Sequence, residues 1–147
     1  SKTVVDNLNL SIESMARTVR FGSNYYCGTS SDTTEPIETS NCSGGGDSLS
    51  VTFQSSRIIY RLCGTQIKKS ENGDVNCNDT GMQAITSSDT VIEYLRFYVF
   101  GTNASGSPDS NQPYVLVVIK GHVGIRATTQ TVFSIETLMS QRTLDIK

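Results

Sequence analysis

The sequence predicts an α+β domain in which one N-terminal helix packs on an antiparallel sheet of about five or six strands. Three observations carry this expectation. Apolar residues recur at steps of three and four over residues 1–22, they alternate at steps of two from residue 49 onward, and Gly-, Ser- and Asn-rich segments separate the alternating runs. At 147 residues the chain fits a single domain, 1–147, with one core. Folding a chain of this size removes roughly two-thirds of the unfolded chain's accessible surface from water.

The helix is read from Val4, Val5, Leu8, Ile12, Met15 and Val19, with Lys2, Asp6, Asn9, Glu13 and Arg17 between them. Arg17 and Arg20 fall in the last turns, where cations suit the helix dipole, and Gly22 is a natural cap. The stripe is already running at Val4 with no capping group before it, so the helix is expected to continue a longer one.

Residues 23–48 hold no sustained period, and they are expected to form a helix-to-sheet loop. Ser30 to Thr34 and Ser43 to Asp47 have loop chemistry, and Pro36 interrupts what lies between. The sheet is expected over 49–147. Leu49, Val51 and Phe53 alternate with polar residues, Ser55 and Ser56 make a two-residue turn, and Ile58, Tyr60 and Leu62 follow. Pairing Gln54 with Arg57 sets Phe53 opposite Ile58, Val51 opposite Tyr60 and Leu49 opposite Leu62, whereas a slip by one residue would set each against a polar neighbour. A turn at Cys63-Gly64 or Gly64-Thr65 brings Ile67 back on the same face. A polar loop over 70–81 and a short strand over 82–86 come next. Residues 91–100 are rich in β-branched and aromatic side chains. Both faces of that run are apolar, which predicts a mid-sheet strand covered on each side. Residues 103–113 read as a loop, 114–120 as a near-continuous apolar strand, and 129–139 as an alternating one.

The four cysteines fall in two pairs close in sequence, Cys27 with Cys42 and Cys63 with Cys77, set in loops of secreted-surface composition. Zinc sites bring ligands in couples two to five residues apart, and no such couple is present. Two disulfides are therefore expected, each stabilising the fold by roughly 3 kcal/mol in the chain-entropy model.

Function classes narrow in turn. A formal net charge of -2 with no Lys/Arg run leaves no electrostatic footprint for nucleic acid or an anionic membrane. No run of 18 apolar residues spans a membrane. The single histidine, His122, has no acid or nucleophile beside it in sequence, and no nucleophile elbow, phosphate loop or metalloprotease helix occurs. It is expected to be an ordinary surface histidine. Asp74 to Asp79 spaces oxygen ligands like a calcium loop, but position six is Asp79 where glycine is needed and position twelve is Ile85 where glutamate is needed. An Asn/Asp turn is the expectation there, and also at Asp109-Ser110-Asn111. Glycosylation triplets at Asn41, Asn78 and Asn103 arise readily in a chain of this composition. No catalytic residue, metal or cofactor is assigned.

Two stretches carry a family resemblance. Val5-Asp6-Asn7-Leu8 running into Ser14-Met15-Ala16-Arg17-Thr18-Val19-Arg20-Phe21-Gly22 resembles the helix exit of bacterial prepilin-type proteins. Ile135-Glu136-Thr137-Leu138-Met139 and onward to Ile146 resembles their final strand. Minor pseudopilins of type II secretion and minor type IV pilins look nearest in layout. The resemblance implies a pilin-like fold, export to the periplasm or cell surface, and inner-membrane anchorage of the precursor by a hydrophobic half-helix preceding Ser1. It implies partners of the same kind, with Val4, Val5, Leu8, Ile12, Met15 and Val19 packing the helix and driving assembly of a pilus or pseudopilus filament. A free-standing secreted binding or adhesin domain is the alternative, and it requires that stripe to be buried against the chain's own sheet. A small secreted enzyme is the third reading, and it requires a polar cluster around His122 or a reactive thiol.

Overall fold

Where one sheet was expected, two are present. The computed structural model describes residues 2–28, 42–101, 113–124 and 130–142, with side chains described from residue 6 onward. Helix α1 (Lys2–Phe21) is followed by β1 (Ser23–Gly28), β2 (Cys42–Gly46), β3 (Ser48–Phe53), β4 (Ser56–Cys63), β5 (Gln66–Ser70), β6 (Met82–Ala84), β7 (Thr90–Phe100), β8 (Tyr114–Val123) and β9 (Thr131–Ser140). The first sheet has the order β1-β3-β4-β5-β6 and the second β2-β7-β8-β9, antiparallel throughout. The fold is a mostly-β sandwich with one added helix, so the expected pilin-like α+β fold, a helix on a single sheet, is overturned.

The error lies in residues 23–48. β1 buries only Tyr25 and Cys27, too short an alternation to stand out, and β2 is Cys-Ser-Gly-Gly-Gly, with almost no side chains to alternate. β2 is a strand because β7 supplies its ladder, with Cys42 opposite Val99 and Gly46 opposite Phe97. Residues 29–41, which hold Pro36 and the Ser/Thr run, lie outside the described residues, as do 102–112.

β7 lies across the first sheet, touching β1, β3, β4 and β5 in turn, and its inward side chains Ile92, Leu95, Phe97 and Val99 fill the interior. α1 packs against β3, β8 and β9, so it closes the same core. Leu8, Met15 and Val19 are buried in that core, and Ile12 and Ala16 pack against it. Hydrogen bonds fix the helix along its length. The Ser11 hydroxyl donates to the Ile85 carbonyl, and the Ser87 amide donates to Asn7 Oδ1 (2.9 Å). At the far end the Arg142 amide donates to the Arg20 carbonyl (2.7 Å), and the Gln141 side chain donates to the Gly22 carbonyl (3.0 Å). A Cβ on Gly22 would collide with Val51, so the tight exit from the helix requires glycine. The Tyr25 hydroxyl donates to the Val19 and Gly22 carbonyls, and burial holds its phenol above the usual tyrosine range.

The β3–β4 hairpin keeps the expected face but not the expected register. Val51 pairs with Ile58 and Leu49 with Tyr60, two residues from the predicted alignment. The turn residues are Gln54 and Ser55, both at positive φ (51° and 66°), the geometry of a type I′ turn whose twist matches that of the strands. A shift of two preserves the side-chain period, so the apolar pattern alone did not separate the two alignments. The next turn is Gly64-Thr65, with Gly64 at φ 65°.

Candidate functional site

The bulge in β7 creates the most distinctive surface. Register shifts between Ile92 and Tyr94, so Glu93 is the extra residue, and the side chains before and after it change phase. Gly121 sits opposite Ile92, and a Cβ there would collide with the Val91 carbonyl, so glycine allows the bulge. After the bulge Leu95, Phe97 and Val99 point inward, while Tyr94, Arg96, Tyr98 and Phe100 point outward.

The ladder sets these outward residues in cross-strand rows. Phe100 is opposite Tyr114, Tyr98 opposite Leu116 and then Leu138, Arg96 opposite Val118 and then Glu136, and Tyr94 opposite Lys120 and then Ser134. Phe100 stacks between neighbours, 6.4 Å from the Tyr98 ring and 5.2 Å from the Tyr114 ring. The Lys120 ammonium lies 5.0 Å from the centre of the Tyr94 ring. The hydrogen bond that the Tyr94 hydroxyl donates to Tyr98 holds the Tyr94 phenol above its ordinary value. Arg96 donates to the Gly44 and Gly45 carbonyls (3.2 and 3.4 Å), which clamps β2 to the sheet at one side of this face. Tyr94, Val132 and Leu138 are exposed, the last two by 80% and 60%. The expectation that β7 is covered on both faces is therefore corrected: it is mid-sheet, but among the described residues its outer face is covered by no layer.

The predicted site residues divide into three groups. Both cysteine pairs are bridged, and no described cysteine is free. Cys27–Cys42 joins β1 of the first sheet to β2 of the second, and Cys63–Cys77 ties the end of β4 to the polar loop. Of the helix stripe, Leu8, Met15 and Val19 are core and Ile12 lines it, while the side chains of Val4 and Val5 lie outside the described residues. The oxygens of the Asp74–Asp79 region turn onto the loop's own amides. Asn72 Oδ1 accepts from the Asp74 amide (3.1 Å), Asn76 Oδ1 from the Asn78 amide (3.0 Å), and Asp79 Oδ2 from the Asn76 amide (3.3 Å). Asp109-Ser110-Asn111, Asn41 and Asn103 lie outside the described residues.

Sequence reasoning missed the partner of His122. The imidazole Nδ1 is 2.7 Å from Glu93 Oε1, across the β7–β8 ladder at the bulge. Only knowing which strands pair could have found it. Glu93 is exposed, so the pair is an open surface contact, and His122→Ala is expected to lower stability by no more than about 1 kcal/mol in a thermal melt. A larger loss would make the pair part of the fold's support.

One shallow cleft of about 360 Å³ lies beside Lys69, Glu71, Asn72, Gly81, Gln83, Ala84 and Ile85. Its lining holds no thiol, hydroxyl or imidazole to act as a nucleophile or its base. Among the described residues no cluster of His, Cys, Asp and Glu is placed to hold a metal ion, and no helix is long and apolar enough to cross a membrane. The two disulfides point to an oxidising compartment, extracellular or periplasmic. Compared with known proteins, the chain matches no family model, no curated protein and no solved structure.

Proposed function

We propose that this chain is an exported structural subunit that works by associating with other protein chains, through the outer face of its second sheet. The observation that supports this reading is the row of outward aromatic and aliphatic side chains on β7, β8 and β9, uncovered among the described residues. Contiguous apolar surface of this kind marks protein-binding faces of soluble domains, and here Arg96, Glu136 and Lys120 lie within it as charged positions. Tyr98, Phe100 and Tyr114 hold one another upright, so they offer contact area at little ordering cost.

The test places charge on this face. Tyr94→Asp combined with Leu116→Asp is expected to abolish high-molecular-mass assemblies in cells producing the protein. The purified variant should melt within about 1 kcal/mol of the parent, because both side chains leave the interior untouched. Assemblies of unchanged size would remove this reading.

The filament-subunit reading, with assembly through the N-terminal helix, stands as a second proposal. Leu10 and Phe21 are exposed, three helical turns apart on the side of α1 away from the core, and would serve as its contact surface. A filament lost in Leu10→Ser but retained in the sheet-face variant would favour it.

A further inference from the structure

The two sheets have four outer strands, and three of them are poorly suited to pairing with another chain. β6 has three residues. β1 and β2 both carry register shifts, and they are held against each other by the Cys27–Cys42 bridge and by the Asp47 amide donating to the Gly28 carbonyl (3.0 Å). β9 is different. It runs ten residues in unbroken register with β8, contains no lysine, proline or bulge, and no described strand pairs with its other side. Natural edges are normally blunted by those devices, because an open edge presents a row of unpaired amides and carbonyls.

We infer that β9 pairs antiparallel with β9 of a second copy of this chain, about a two-fold axis at Ile135, joining two four-stranded sheets into one. The occupant follows from the side chains. Val132 and Leu138, the two most exposed apolar residues of the strand, lie at equal distances on either side of Ile135. With the axis there, Leu138 of each copy meets Val132 of the other, and Glu136 meets Ser134. Moving the axis to Glu136 sets Glu136 against its own copy, which like-charge repulsion disfavours. Moving it to Ser134 sets Val132 against Glu136 and Leu138 against Gln130. On the inner side the pairing places Ile135 against Ile135 and covers the half-buried Phe133. One register thus satisfies both faces, and it is self-complementary.

This inference rests on the reading of the chain as an association subunit and names one chain that it binds. The test is the mass of the purified protein by sedimentation, from about 1 µM to about 500 µM, the range in which a modest interface dissociates. The parent is expected to pass from one chain to two. The double variant V132K/L138K sets lysine against lysine twice and should stay monomeric with an unchanged melt, since both positions are exposed. The double variant V132K/L138E sets lysine against glutamate twice and should dimerise again, with an affinity that falls as salt rises. A parent that stays monomeric throughout overturns the inference, as does a V132K/L138K variant that dimerises like the parent. If V132K/L138E is monomeric while the parent is not, the register is wrong and the inference falls with it. A monomeric parent whose Tyr94→Asp/Leu116→Asp variant still loses its assemblies in cells would overturn this inference and leave the proposed function standing.

Discussion

Truncating Met15 to Ala is expected to lower the stability of the domain by about 2–5 kcal/mol, because the side chain is 1% exposed in the core and the surroundings of a buried cavity relax only in part. Leu8→Asn should be comparably damaging, since Leu8 is buried in the same cluster and the new amide would enter it without a prepared partner. The comparison decides a mechanical question. A helix that served mainly as a filament shaft would tolerate a polar residue at Leu8 in the isolated domain, while a helix that closes a sandwich would not. Leu8, Met15 and Val19 lie in the core that α1 closes against β3, β8 and β9, so a loss at Leu8 is expected in the isolated domain. Thermal or urea unfolding of the two variants checks it, and a Leu8→Asn domain as stable as the parent would contradict the burial of Leu8 in the core.

Removing the Cys27–Cys42 bridge by Cys27→Ser with Cys42→Ser is expected to cost about 3 kcal/mol, the chain-entropy value for a loop of this length. The loss should appear as global unfolding at lower denaturant, because this bridge joins the edges of two different sheets. The Cys63–Cys77 bridge closes a loop of nearly the same length, and the same model assigns it a similar entropy. Its structural setting is different, since it fastens a polar loop to the end of β4 and no second sheet. Hydrogen exchange should therefore show local loosening over 71–81 in the Cys63→Ser/Cys77→Ser variant, with protection in β7 and β8 retained to a higher denaturant concentration than in the Cys27→Ser/Cys42→Ser variant. Equal loss of protection in β7 and β8 from both pairs of substitutions would show that the bridges act only through the unfolded chain.

Much of the local structure was legible in the residues. The three-four spacing of Leu8, Ile12, Met15 and Val19 located a helix that ends at Phe21, beside the expected cap Gly22. Alternation located β3, β4 and β9, and the near-continuous apolar runs located β7 and β8. The even cysteine count and the closeness of each pair in sequence matched the thiols as the structure pairs them, although Cys27, Cys42 and Cys63 lie in strands and not in the expected loops. These are local properties, and a period of 3.6 or 2 declares which face of an element is apolar.

Tertiary structure alone decided what each apolar face is buried against. An alternating strand looks the same whether a helix or a second sheet covers it, so β7 and β8 gave no sign that they belong to a different sheet from β3 and β4. The β3–β4 register, two residues from the predicted one, depended on the positive φ angles of Gln54 and Ser55, because any even shift keeps the same face inward. β2 is three glycines in five residues, and it becomes a strand only where β7 offers hydrogen bonds. The outward aromatic face arose from one extra residue, Glu93, which reversed the phase of everything after it in β7 and brought its own carboxylate to His122. Sequence periodicity thus specified the amphipathic elements, while long-range pairing chose their partners, because only contacts distant along the chain can distinguish arrangements that satisfy every local pattern equally well.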